Sequence, residues 1–258
     1  MIHRFGTGAR KVLALHCAQG HGGMFAGLAL PGCTVLAPDL RGHGTLPLWD
    51  GQGDYHSDCT RDVIALCEAE GVVDLLGHSL GATIALRVAL ERPELVRSLT
   101  LIEPVLFCAA RASDPAAFAQ HVAEFAPVTA AFRRGDMMAA AAAFHAIWSD
   151  GDFAALPEKV RLSLAARMPV IPATAPVLYE DAGGMLGYMR LESLGIPALL
   201  LEGARSPAVM GVIQKELERR LPQVQRVVIE GAGHMSPLTH APAVSAAIAG
   251  FYGTSSMM

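Results

Sequence analysis

Short apolar runs recur along the chain, separated by longer stretches in which apolar residues return at helical spacing. Lys11–Leu15, Thr34–Pro38, Val72–Leu76, Arg97–Glu103, Ile196–Leu201 and Val224–Ile229 are rich in Val, Leu and Ile and too short for helices, so each predicts a strand. Asp58–Glu70 predicts a helix, with Val63, Ile64, Leu66 and Cys67 on one side and Gly71 as its stop. Ala82–Leu90, Ala208–Leu221 and Ala241–Phe251 predict three more. Strands alternating with helices imply an α/β fold: a mostly parallel central sheet with helices on both faces. In such sheets the chemistry sits on loops at the carboxyl ends of the strands.

The texture changes from Val105 to about Gly187. Alanine-rich helical stretches, Ala116–Ala126 and Met137–Trp148, are broken by Pro127, Gly135, Gly151 and Pro157. This predicts an inserted helical cap over 105–187 on a core formed by 1–104 and 188–258. Phe107, Phe118, Phe125, Phe132, Phe144 and Trp148, with Met168, Met185 and Met189, either line a substrate pocket or pack between helices.

Composition narrows the function classes. A length of 258 residues suits one α/β domain with an insertion. Hydrophobic residues make up 52% and charged ones 17%, yet no apolar run reaches the roughly eighteen residues of a membrane helix. The net charge of −4 and the lack of a basic cluster give no footprint for nucleic acid or an anionic membrane. A small molecule is the expected partner, to a monomer or homodimer. The start, Met1-Ile2-His3-Arg4-Phe5-Gly6, lacks the apolar core and cleavage site of a signal peptide, which points to the cytoplasm. Cys17, Cys33, Cys59, Cys67 and Cys108 form no CxxC pair, and read as reduced, mostly buried thiols. His16, His21 and His43 lie in separate loops without a carboxylate or cysteine set at ligand spacing, so neither a metal nor another cofactor is expected.

The chemistry concentrates at Gly77-His78-Ser79-Leu80-Gly81, between a strand and a helix. Glycines on both sides let strand and helix approach closely while the serine is held in strained backbone geometry at the helix N-terminus. The Leu80 N–H is then a natural donor to a developing oxyanion. The glycine-rich loop Cys17-Ala18-Gln19-Gly20-His21-Gly22-Gly23 follows the first predicted strand, and the Ala18 N–H is the candidate second donor. His16 reads as a structural histidine holding that loop. Asp39 and Arg41, in the turn Asp39-Leu40-Arg41-Gly42-His43-Gly44, read as an ion pair fixing the turn. An alcohol attacks well at neutral pH only if a base accepts its proton, and His234 in Gly231-Ala232-Gly233-His234 is that base.

These segments occur in one order, and with them the chain resembles the α/β-hydrolase superfamily, as a serine-nucleophile member with a helical cap. The resemblance implies that Ser79 attacks an acyl carbon, that His234 takes its proton, and that an acid orients His234. The family's usual acid follows the penultimate strand in a Gly-x-x-Asp-like turn, but here that turn reads Gly203-Ala204-Arg205-Ser206-Pro207. Serine carries no negative charge to stabilise an imidazolium. Glu103, ending the strand after the elbow helix, is the best substitute, and some family members resemble this placement. Its alternative is a hinge glutamate bonded to backbone or to Arg205. Glu202 and Glu230 are poorer candidates.

The expected function is therefore a cofactor-independent serine hydrolase of a small, largely apolar ester or related carbonyl compound. Three alternatives stand beside it: hydrolysis of a carbon–carbon bond in ring-cleavage products, lactone hydrolysis, and a non-catalytic ligand-binding protein on the hydrolase fold. The carbon–carbon reading needs cations such as Arg111, Arg133, Arg134, Arg161, Arg167 or Arg190 in the cap to hold a carboxylate.

Overall fold

A computed structural model describes residues 1–255. The strands are β1 (Ile2–Phe5), β2 (Arg10–Leu15), β3 (Cys33–Pro38), β4 (Val73–His78), β5 (Val96–Ile102), β6 (Ala198–Gly203) and β7 (Val224–Ile229). They form one sheet in the order β1-β3-β2-β4-β5-β6-β7, parallel throughout except for β1, which runs antiparallel to β3. β1 carries no apolar run, because as an edge strand it is exposed or half-buried along its whole length.

Side-chain alternation divides the core in two. Val12 and Ala14 of β2 face one layer with Val35, Leu76, Ile102 and Leu201, covered by Val244, Ile248 and Phe251 of α10 (Ala241–Ser255). Leu13 and Leu15 face the other, covered by α1 (Tyr55–Glu70), α2 (Leu80–Glu91) and α8 (Ala208–Arg220). α1 begins three residues before the predicted start, since the Asp54 side chain accepts the Ser57 N–H and caps it. Within the sheet, buried Asp74 accepts bonds from Arg10 (2.7 and 2.8 Å), Arg97 (2.7 Å) and Ser98 (2.6 Å), so its charge is fully compensated. All five cysteines are buried and free.

Between β5 and β6 lie α3 (Phe107–Ser113), α4 (Pro115–Arg133), α5 (Met137–Trp148), α6 (Glu158–Arg167) and α7 (Val170–Glu180). α3 packs into the main core through Phe107, Cys108, Ala109 and Ala110, whereas Val128, Ala131, Ala140, Ala141, Ala165 and Met168 build a separate small core. The predicted break at Pro127 does not occur, and α4 runs through it. Pro127 and Ala123 lie on the exposed side, so the carbonyl that loses its N–H partner there is open to water.

The predicted Asp39–Arg41 pair is replaced by two others. Asp39 turns inward to His3 (3.1 Å) and the Gly22 N–H (2.9 Å), while Arg41 turns outward to Asp62 (2.6 Å) and Asp58 (3.4 Å). Among the described residues no helix is long and apolar enough to cross a membrane.

Strand order brings the loops that carry Ala18 and Ser79 together. After β2 the chain adds β3 on one side and then crosses over to β4 on the other, so the sheet's switch point lies between β2 and β4. Ala18 follows β2 and Ser79 follows β4.

Candidate active site

Ser79 has φ +57° and ψ −116°, a strained conformation for a residue with a side chain, and stands at the cap position of α2. The flanking glycines are sterically required. A Cβ on Gly77 would lie 2.4 Å from Ala82 Cα, and one on Gly81 would lie 2.2 Å from the Leu15 carbonyl oxygen. The close approach at Gly81 also docks the elbow against the end of β2, next to the loop that carries Ala18.

Two histidines hold that loop. His16 is fully buried; its Nδ1–H donates to the Cys17 carbonyl (2.7 Å) and its Nε2 accepts the Leu40 N–H (2.9 Å). His43 donates to the Arg41 carbonyl (2.8 Å) and accepts the Gln19 N–H (3.0 Å). Burial, aided by the neighbouring His43, lowers the pKa of His16 to about 3, and burial lowers His43 to about 4. Both are neutral structural groups. Ala18, between Cys17 and Gln19 that these rings hold, and Leu80 have amides without a backbone hydrogen-bond partner among the described residues.

Glu103 leaves the end of β5 with φ +51° and is completely buried. One carboxylate oxygen accepts the Gly203 N–H (2.7 Å) and the other meets His234 Nδ1 (3.0 Å). Glu103 thus makes both contacts considered for it from sequence, one to backbone and one to the histidine, while Arg205 is exposed and takes no part. Glu202 is tied to Arg226 (2.7 Å) and Glu230 is exposed. The hydroxyl of Ser206 is buried with no hydrogen-bond partner among the described residues.

With Nδ1 committed to Glu103, Nε2 is the nitrogen of His234 free to accept a proton. Ser79 and His234 line the same cavity, though no hydrogen bond joins them in this structure. Such contacts commonly tighten only when substrate is bound. His78, between Gly77 and the serine, is a positioning residue that sequence reasoning passed over. It is fully buried and its Nε2–H donates to the His234 carbonyl (2.8 Å), so the elbow itself holds the histidine loop. Burial, and then the nearby His234, push the His78 pKa well below the ordinary histidine value. Its one signal in the sequence was its place inside the motif; its partner lies 156 residues away.

Two cavities meet at Ser79, sharing Ala18, Phe144 and Trp148 in their walls. The first, about 500 Å³, is lined mainly by apolar side chains, among them Phe107, Phe118, Phe125, Phe132 and Leu178. The second, about 410 Å³, carries polar groups: Gln19, His21, His145, Ser149 and His234. The Trp148 ring lies 4.6 Å from that of His234. The predicted methionines are not part of either wall: Met168 and Met185 are buried in packing, and Met189 is exposed on a surface turn. None of Arg111, Arg133, Arg134, Arg161, Arg167 and Arg190 lines either cavity.

A model of the alpha/beta hydrolase fold matches residues 12–241. The chain belongs to this family. This α/β hydrolase is 33% identical over 109 residues to lipase LipV of Mycobacterium tuberculosis, a match covering 41% of each chain. It therefore spans about two-fifths of that lipase's length. It is 28% identical over 202 residues to N-formylmaleamate deformylase of Pseudomonas putida, covering 77% of this chain and 71% of the deformylase. A hydrolase structure from Pseudomonas aeruginosa superposes with a TM-score of 0.73 at 22% identity, over 98% of this chain and 93% of that one.

Proposed function

We propose that this α/β hydrolase is a cofactor-independent serine hydrolase that cleaves esters of apolar acyl groups through an acyl-enzyme on Ser79. The observation that carries the reading is the buried Glu103–His234 pair, 3.0 Å apart, at the cavity that also contains the strained Ser79. Ser79 Oγ attacks the acyl carbon as His234 Nε2 takes its proton, and Glu103 holds the resulting imidazolium. The Ala18 and Leu80 amides receive the oxyanion. His234 then gives the proton to the leaving alkoxide, and a water deprotonated by His234 releases the acid and restores the serine. The helices over 105–187 act as the cap that shapes the site. Relatives named as a lipase and a deformylase support hydrolytic chemistry. The carbon–carbon reading loses its support, because no cap arginine reaches the cavities. The paired Glu103 and His234 weigh against a binding protein that has lost turnover.

A fluorophosphonate tests the reading without a known substrate. Rapid labelling is expected, with the adduct found on Ser79 by mass spectrometry; labelling no faster than that of unfolded chain refutes it. The apolar cavity adds a second expected result. Each buried methylene contributes about 0.8 kcal/mol, or about four-fold in kcat/KM. Across p-nitrophenyl acetate, butyrate, hexanoate and octanoate, kcat/KM rises by that factor per methylene until the cavity is full. A flat profile means that the acyl chain does not enter it.

A further inference from the structure

Outside the serine site, three metal-ligating side chains converge from three parts of the chain. His3 lies on β1, His21 in the loop after β2, and Asp39 directly after β3. The antiparallel β1–β3 register, pairing His3 with Ala37, brings His3 beside Asp39, a neighbour that loop spacing around His21 does not reveal. One ligand atom from each residue lies within 4.8 Å of the other two. We propose that His3, His21 and Asp39 bind a divalent transition-metal ion of the zinc class, which ties the loop carrying Ala18 to the sheet.

Two histidine nitrogens and one carboxylate oxygen are a ligand set that zinc accepts, with water in the fourth position. Bonds of about 2.0 Å in a tetrahedron put neighbouring ligand atoms about 3.3 Å apart. His3 Nε2 and Asp39 Oδ1, at 3.1 Å, already have that separation. The exposed His21 ring closes the remaining distance by side-chain rotation. Asp39 is buried and aimed by the amides of Gly22 (2.9 Å) and Thr45 (3.3 Å), the outer support that a ligating carboxylate needs. The backbone leaves room for both rings. A Cβ on Gly22 would lie 2.7 Å from His3 Cδ2, and one on Gly23 would lie 2.7 Å from His21 Cε1.

Without metal, His3 Nε2–H donates to Asp39 and His21 Nδ1 accepts the Gly23 N–H. The ion takes the place of the proton on His3 Nε2, which moves to Nδ1, and binds one nitrogen of His21. His21 is three residues from Ala18 and lines the polar cavity at Ser79, so a bound ion stiffens one wall of the site. The proposal stands independently of the serine mechanism.

The test uses the tag-free full chain, titrated with Co²⁺ at pH 7.5 and followed by visible absorption, and with Zn²⁺ in competition with a chromogenic chelator. One ion per chain is expected, bound at micromolar concentration or tighter. His3→Gln and His21→Gln each weaken it at least about ten-fold, and His240→Gln, on another loop, leaves it unchanged. Circular dichroism checks that the variants fold, and the loop variant His21→Gln stands even if the strand variant does not. No saturable binding, or binding equal in wild type and both site variants, means an adventitious ion only and overturns the proposal.

Discussion

Glu103→Gln is expected to lower kcat/KM for ester substrates by about three to four orders of magnitude, the scale seen when a catalytic histidine is held in the wrong tautomer. The structure gives the reason atom by atom. The Gly203 N–H must meet an acceptor, so the carbonyl of the new amide takes that position and its NH₂ faces His234 Nδ1. Nδ1 then accepts instead of donating, Nε2 carries the proton, and no base remains for Ser79. Glu202→Gln, which removes a carboxylate bound to Arg226 on the neighbouring strand, changes kcat/KM by about two-fold at most. The comparison is read from steady-state rates at pH 8 together with thermal midpoints. A loss below ten-fold in Glu103→Gln, with the fold intact, removes Glu103 from the mechanism.

Acid is expected to unfold this protein well above the pH at which carboxylates titrate. Burial is the leading cause that lowers His16 to about 3, His43, His56 and His121 to about 4, and His78 well below its ordinary value. A histidine whose folded pKa is depressed favours the folded state above its unfolded pKa of about 6.5, and that stability is lost as pH falls toward the folded value. At pH 5.5 each such group costs on the order of 1 kcal/mol, and together they cost several kcal/mol. That is comparable to the whole stability of a typical domain, about 5–15 kcal/mol. Urea unfolding is therefore expected to show a constant midpoint from pH 8 to 7, a steep fall below 6.5, and unfolding near pH 5. Asp39 and Asp54 do not obscure this window. Although burial opposes their charge, their hydrogen bonds hold their pKa values below the usual range, so they titrate later. A midpoint unchanged down to pH 5 shows that these rings protonate without opening the fold.

The burial has a functional side. His16 and His43 fix the loop that carries Ala18, and His78 fixes the loop that carries His234. Each works as a neutral ring donating from one nitrogen, and in His16 and His43 the other nitrogen accepts. Protonation therefore strikes the geometry of the site and the stability of the core together.

Local chemistry determines much of this without any tertiary contact. Apolar runs of strand length and helix-spaced stretches gave the α/β layering, because burying one face of each element leaves few ways to assemble them. The glycines around Ser79 announced the elbow, since only residues without Cβ allow that approach of strand and helix. Other features depend on contacts between distant segments. β1 has no apolar signature because it is an edge, and Pro127 failed to stop α4 because the freed carbonyl faces water. Asp39 and Arg41, close in sequence, turned to opposite sides and found His3 and Asp62. Sequence could name Glu103 as a candidate, but its reach to His234 depends on β5 and β6 lying side by side, which brings the Gly203 amide to one oxygen and leaves the other for the imidazole. The position of His78 beneath the His234 loop and the meeting of His3, His21 and Asp39 were likewise decided by the folded chain. Residue type and local spacing fix what a segment can do, whereas hydrogen bonds spanning up to 242 residues exist only once the sheet order has set which segments become neighbours.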